Sequence, residues 1–280
     1  MLIPPDFEKK RAMELGKLVK QAYQLFDNYK NKKPWTLQDD YTLVCEISYR
    51  TFLSFDVNGD ESEQTAIDRE MEAVQETEPV SFGLVDDLVY KDVPVGFVAT
   101  KDKTAYLVFR GTVTPREWIF DANIKMQAYR LKNWGRVSDG FQNIYRRCRE
   151  SFIKPLGNLP ADYPLFITGH SLGGALSLLS LPDVVQSTHF KKPTLYNFGC
   201  PRVGDAEFGR NYDSLPDQKT FRVVNSSDLV TSIPLPVEIP ALPSGFYTHV
   251  GQPIDFAFQG NSLTLNHSMD TYIAALENSQ

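Results

Sequence analysis

A serine stands between glycines in Gly169-His170-Ser171-Leu172-Gly173. A short apolar run over residues 164–168 leads into it, and a longer apolar run over 175–181 follows. In a strand–turn–helix context, G-x-S-x-G makes a sharp turn that lifts the serine hydroxyl clear of the sheet edge. The pentapeptide alone is common in turns, so the flanking strand and helix give it its specificity. Glycine at 169 and 173 removes side chains that would collide with the neighbouring strand or helix, and it permits unusual backbone angles. Ser171 would then sit at the positive end of a helix, where free N–H groups favour a developing oxyanion. The implied chemistry is nucleophilic attack by an activated hydroxyl. It requires a base, an acid to orient that base, and donors for the oxyanion.

In open α/β sheets with this elbow, the acid and then the histidine follow the serine in chain order. The chain has four histidines. His170 adjoins the serine and cannot turn its side chain to it. His189 precedes any suitable acid. His249 sits in the alternating run Phe246-Tyr-Thr-His-Val250, which reads as a strand. His267 lies between the last strand region and the last helix, in the kind of loop where α/β sites gather polar groups, and is preferred. For the acid, Asp228 follows the strand-like 220–225 at the edge of a turn and is preferred to Asp205, Asp213 and Asp255. The first oxyanion donor is the backbone N–H of Leu172. The second is expected from Gly111-Thr112, through the Thr112 N–H and its hydroxyl.

These residues need a scaffold, and the rest of the chain supplies one. Its 280 residues are 42% hydrophobic and 23% charged, which suits a single domain over 1–280 with 1–80 as a helical extension packed on an 81–280 core. Residues 7–54 read as helical, with Leu15, Leu18, Val19, Ala22, Tyr23 and Phe26 at three- and four-residue spacing and a second helix over 39–52. Strands are expected over 83–90, 95–100 and 104–110, the last two joined by the Lys101-Asp-Lys103 turn into an antiparallel hairpin. Helices are expected over 116–124, 139–156, 204–213 and 266–276, and further strands over 193–198, 220–225, 246–251 and 254–258. Strands alternating with helices on this scale indicate a mostly parallel sheet with helices on both faces.

A net charge of −6 argues against a nucleic-acid partner. No stretch is apolar enough to span a bilayer, and the first residues lack the basic start and apolar run of a secretory leader. Cys45, Cys148 and Cys200 are odd in number and scattered, as reduced core residues would be. Asp56-Val-Asn-Gly-Asp-Glu61 opens like a calcium loop. However, Glu61 replaces the turn glycine and Ile67 the closing carboxylate, so no metal is expected. Residues 60–78 read as an exposed acidic segment, and the proline-rich 233–247 as a stiff loop.

Four motifs in order resemble the class 3 lipases, the fungal-type triacylglycerol lipases with plant and bacterial relatives. They are Phe109-Arg-Gly-Thr112 with Glu117-Trp-Ile119, Gly169-His-Ser-Leu-Gly-Gly174, Asn197-Phe-Gly-Cys-Pro-Arg-Val-Gly204, and Val224-Asn-Ser-Ser-Asp-Leu-Val230 with Ile233-Pro234. Asn266-His267 fits the family's histidine loop, and the resemblance covers residues 80–278. It implies an α/β-hydrolase fold, with a mostly parallel central sheet, an antiparallel hairpin and flanking helices. It also implies Ser171 as nucleophile, Asp228 as acid, His267 as base, and Thr112 and Leu172 as oxyanion donors. The activity implied is that of a serine carboxylic-ester hydrolase cleaving acyl esters of glycerolipids, with no metal or cofactor. The alternatives are a small-ester esterase, an A1-type phospholipase or galactolipase, an acyltransferase with the same triad, and, last, a non-catalytic binding module. The expected partner is a lipid or ester substrate at a membrane or lipid-droplet surface. A lid over 116–122 with Trp118 and Ile119, and an acyl groove with Leu242 and Phe246, complete the expectation. This chain has Val137-Ser-Asp-Gly-Phe141 where the family often has Val-His-x-Gly-Phe, and it lacks the secreted members' leader and disulfide cysteines, which points to the cytoplasm.

Overall fold

A computed structural model describes residues 3–52, 90–112, 125–234 and 246–279. Helix α1 (Lys9–Lys30) buries the expected face, including Leu15, Leu18, Val19, Ala22 and Phe26. Strands β1 (Thr42–Phe52), β2 (Tyr90–Lys101) and β3 (Thr104–Phe109) follow. Then come β4 (Met126–Ala128), β5 (Arg136–Ser138) and helix α2 (Asp139–Gly157), capped by the Ser138 hydroxyl. Strand β6 (Leu165–His170) runs into helix α3 (Leu172–Ser187). Next are β7 (Thr194–Phe198), β8 (Gly204–Asp205), α4 (Ala206–Asp213) and β9 (Lys219–Asn225), then a 3-10 turn at Leu229–Ser232. The chain closes with β10 (Tyr247–Thr248), β11 (Gln252–Phe256), the short α5 (Leu263–Asn266) and α6 (Met269–Asn278).

The main sheet has the order β1-β2-β3-β6-β7-β9-β11. Its first two ladders are antiparallel and the remaining four parallel, which is the α/β-hydrolase pattern with its antiparallel hairpin at one edge. The turn between β2 and β3 holds Asp102 and Lys103 at φ 47° and 57°, as the paired positive φ of a primed hairpin turn requires. Each central strand feeds two cores by its period of two. Tyr106 and Val108 of β3 pack with α1 and α6, while Ala105, Leu107 and Phe109 face α2 and α3. Helix α3 is buried on all sides from Leu172 to Val184, so it is anchored under the sheet and holds its N-terminus in place.

Three features depart from the sequence expectation. Residues 42–52 form strand β1, where a helix over 39–52 is expected. The register of β1 against β2 shifts between Leu43 and Cys45 and again between Ile47 and Ser48. The first leaves Val44 as an extra residue on β1 and the second leaves Val95 as an extra residue on β2, so the alternation along β1 breaks at Val44 although the chain is extended. A second small sheet, β10-β8-β5-β4, is also unforeseen, because strands of two or three residues are too short to show a period. The last helix is split: Ser262 caps α5, Ser268 caps α6, and His267 sits at the break. The expected helix over 116–124, the acidic segment 60–78, the calcium-like loop and most of the strand over 83–90 lie outside the described residues.

Candidate active site

Ser171 sits at φ 57° and ψ −126°, between the end of β6 and the first residue of α3. A non-glycine residue in this region typically costs about 1–3 kcal/mol, so the surroundings must hold it there. They do so by close packing. A Cβ at Gly169 would stand 2.1 Å from Gly173 O, and one at Gly173 would stand 2.5 Å from the carbonyls of Phe109 and Arg110. The Ser171 N–H is fixed on Phe198 O at 3.0 Å, and Ser171 O accepts the Gly174 and Ala175 N–H groups. The Leu172 N–H therefore lies in the first turn of α3, among donors that a helix leaves unpaired. Leu172 itself is buried.

His267 Nδ1 lies 2.6 Å from Asp228 Oδ2, with both side chains almost fully buried. The carboxylate is a hub. Its Oδ2 also accepts the Tyr272 hydroxyl at 2.6 Å, and its Oδ1 accepts the Val230 N–H at 3.0 Å. A carboxylate holding that many donors fixes the imidazole with its proton on Nδ1, leaving Nε2 free to act as base. Asparagines tie the acid loop to the histidine loop. Asn225 Nδ2 donates to Asn266 O at 2.9 Å, and Asn266 Nδ2 donates to Ser227 O at 3.1 Å. Gly199 passes so close, at φ 55°, that a Cβ there would stand 2.9 Å from His267 Cε1.

Thr112 is buried, and it follows Gly111, whose missing Cβ would stand 2.8 Å from Ser171 Cβ. The Gly111–Thr112 backbone therefore crosses directly beside the serine. Ser171 Oγ, His267 Nε2 and Thr112 Oγ1 are all buried without a hydrogen-bond partner among the described residues. An unsatisfied buried polar atom costs about 1–3 kcal/mol, so its recurrence at one place marks a functional site. Asp228 and His267 are thus bonded to each other. The serine hydroxyl is buried at the elbow but makes no hydrogen bond to the imidazole, and such catalytic contacts are often loose before substrate arrives.

The competing residues are engaged elsewhere. His249 Nε2 is bonded to Thr231 O at 2.9 Å. Asp205 caps α4 through Phe208 N at 2.9 Å, Asp213 ends that helix, and Asp255 lies on the edge strand β11. Phe246, an expected groove residue, is 50% exposed. Trp118, Ile119 and Leu242 lie outside the described residues. Sequence reasoning missed Tyr272, Tyr23 and His170. His170 turns away from the serine as expected, but its ring lies 4.4 Å from that of His267. No local motif signals these contacts, since each joins segments far apart in the chain.

Burial, followed by the charges of Arg222 and Arg202, pushes His249 down to about 3. Burial likewise holds His170 well below its ordinary value. Above pH 6.5, the ordinary imidazole value, both the folded and unfolded states carry neutral rings. Below it the unfolded chain takes up protons that the folded chain refuses, so stability is lost as pH falls towards 3. Urea titrations between pH 7 and about 4 should show this decline, and His249→Gln should flatten it. An equally steep decline in the variant would remove His249 from the account.

Residues 106–238 match the family model described as lipase (class 3). The chain is 33% identical over 204 residues to phospholipase A1 EG1, chloroplastic/mitochondrial, of Oryza sativa subsp. indica, covering 60% of this chain and 46% of that protein. It is 34% identical over 139 residues to a lipase of Rhizomucor miehei, covering 48% and 38%. The chain therefore spans less than half the length of these curated relatives. A triacylglycerol lipase structure in which a serine protease triad forms the catalytic centre superposes with a TM-score of 0.50 at 30% identity, over 57% of this chain and 60% of that one. The MDLA N225Q mutant of Penicillium cyclopium shares the fold more broadly, with a TM-score of 0.58 over 92% of this chain and 84% of that one at 21% identity.

Proposed function

We propose that this chain, whose residues 106–238 match the class 3 lipase family model, is a serine carboxylic-ester hydrolase acting on acyl esters of glycerolipids. The observation that carries the reading is the buried pair Asp228–His267 at 2.6 Å beside a serine held at φ 57° on an elbow. In the proposed reaction His267 Nε2 takes the Ser171 proton as Oγ bonds to the ester carbonyl carbon. The carbonyl electrons move to oxygen, where the Leu172 and Thr112 N–H groups receive them. Collapse of the tetrahedral species breaks the bond to the alcohol, which leaves with the proton from His267. Water then gives a proton to His267 and attacks the acyl-enzyme, releasing the fatty acid and the free serine. Asp228 stays ionised throughout and stabilises the imidazolium.

A second reading, hydrolysis of one acyl chain from a polar glycerolipid, is favoured by the likeness to a rice protein named phospholipase A1. The two are separated by product analysis with triacylglycerol, phospholipid, galactolipid and peptide substrates. Free fatty acid from a glycerolipid supports the proposal, and the substrate giving it chooses between the readings. Cleavage of peptide alone, or acyl transfer with no fatty acid released, would overturn it. Free cysteines at 45, 148 and 200 support a cytoplasmic setting, and exposed Leu229, Phe246 and Leu265 support contact with a lipid surface. Among the described residues no helix is long and apolar enough to cross a membrane.

A further inference from the structure

Buried and half-buried polar groups that the hydrolytic steps do not use form one connected path behind the site. Tyr23, on α1, accepts the Gly111 N–H through its hydroxyl at 3.0 Å. The same hydroxyl lies 2.8 Å from His170 Nδ1. At the other side of that ring, His170 Nε2 lies 2.7 Å from His267 O. The path thus begins one residue before the expected oxyanion donor Thr112 and ends on the backbone of the expected base.

Its proton arrangement follows from what each atom can do. A carbonyl oxygen only accepts, so His170 Nε2 carries a hydrogen. Burial, followed by the nearby His267, keeps the His170 ring neutral, so Nδ1 is bare and accepts. The Tyr23 hydroxyl then donates to Nδ1 while its lone pair takes the Gly111 N–H. This arrangement satisfies every group along the path, and reversing the tautomer would leave Nε2 facing a carbonyl with no hydrogen between them.

The other side of Gly111 is equally constrained. Arg110 Nη1 donates to Gly111 O at 2.7 Å, and Arg110 Nε donates to Pro94 O at 2.9 Å. Its guanidinium stacks 3.6 Å above the ring of Phe26. Tyr23 and Phe26 are three residues apart on α1 and so share one face. There is no slack where these segments meet, because a Cβ at Gly111 would stand 2.5 Å from the Tyr23 hydroxyl oxygen and 2.7 Å from His170 O.

We propose that Tyr23 and His170 are positioning residues that lock the oxyanion loop at Gly111–Thr112 and the backbone of His267 into one register, so that helix α1 sets the rate of acyl transfer. This rests on the hydrolase reading above. It extends that reading to a helix outside the 106–238 segment that carries the family match. The proposed role is preorganisation: donors and base must stay within a fraction of an ångström of their working places, and a misplacement of about 1 Å can cost about 100-fold in rate.

The test uses the full chain. In Tyr23→Phe, kcat on a soluble ester should fall about 10- to 100-fold while KM changes by less than about twofold. His170→Ala should behave similarly, and the double variant should be no worse than the weaker single one, because both break the same path. Nitrogen NMR of the wild-type protein, with His170 assigned through the His170→Ala spectrum, should show a bare Nδ1 and a protonated Nε2. In Tyr23→Phe the hydrogen should stay on Nε2, held by the His267 carbonyl, while the Nδ1 resonance shifts as it loses its donor, and that shift is the signature of the coupling. A His170 ring protonated at Nδ1 in the wild type would overturn the inference even if the variants fail to fold. So would a folded Tyr23→Phe with unchanged kcat in a preparation whose wild type is active and labels at Ser171 with a fluorophosphonate. A wild type that neither labels nor hydrolyses esters would instead overturn the hydrolase reading, and this inference with it.

Discussion

Ser171→Ala should lower kcat on any ester substrate about 10⁶-fold, with KM nearly unchanged, and leave the fold intact. The hydroxyl makes no hydrogen bond among the described residues, so its removal strands no partner. Alanine also relieves a buried unsatisfied oxygen at a residue already held at φ 57°. Stability should therefore stay equal or rise slightly while activity disappears, a split seen when a group serves chemistry at the expense of the fold. Adding His267→Ala should cost little more, because the serine and histidine act as one unit. Steady-state rates and urea titrations on the single and double variants check both halves. A variant retaining more than about one part in a thousand of wild-type kcat would show that another group attacks the substrate.

Asp228→Asn should lower kcat about 10⁴-fold. The carboxylate accepts from His267 Nδ1 and Tyr272 on one oxygen and from Val230 N on the other, so it serves only as an acceptor. An asparagine must turn its NH₂ towards one of these sets of donors. Turned towards His267, it requires Nδ1 to accept, which moves the imidazole proton to Nε2. The base then points a hydrogen at the serine and cannot take its proton. This loss differs from that of Ser171→Ala in its pH dependence, since hydroxide can take the serine proton in place of the imidazole and restore part of the rate as pH rises. Rates for the variant between pH 6 and about 10 measure this. A variant within about tenfold of wild type would remove Asp228 as the orienting acid.

The elbow could be read from sequence because all its requirements are local. Glycines at 169 and 173, an apolar strand before and an apolar helix after are contiguous, and the contacts at Gly169 and Gly173 explain why no other residue fits. Asp228 and His267, which the structure brings to 2.6 Å of each other, are selected in the sequence by chain order and by their places in loops after strands. The loops meet through Asn225 and Asn266, which carry no motif of their own. Strand β1 reads as a helix because the extra residue Val44 breaks the alternation by which strands are recognised. The small second sheet offers too few residues per strand to show any period. Tyr23, His170 and Tyr272 escaped for another reason. Tyr23 meets His170 across 147 residues and Tyr272 meets Asp228 across 44, and only the folded chain brings them together. The N-terminal helix looked like simple packing for the same reason.

The central claim is that Ser171 is a nucleophile activated by the His267–Asp228 pair. Its most direct test is treatment of the full chain with a fluorophosphonate, followed by mass mapping of the adduct in the wild type and in His267→Ala. The account predicts one adduct, on the Ser171 oxygen, forming rapidly in the wild type and at least about 10³-fold more slowly in the variant. An adduct on any other residue, or labelling of Ser171 at the same rate without the imidazole, would contradict it.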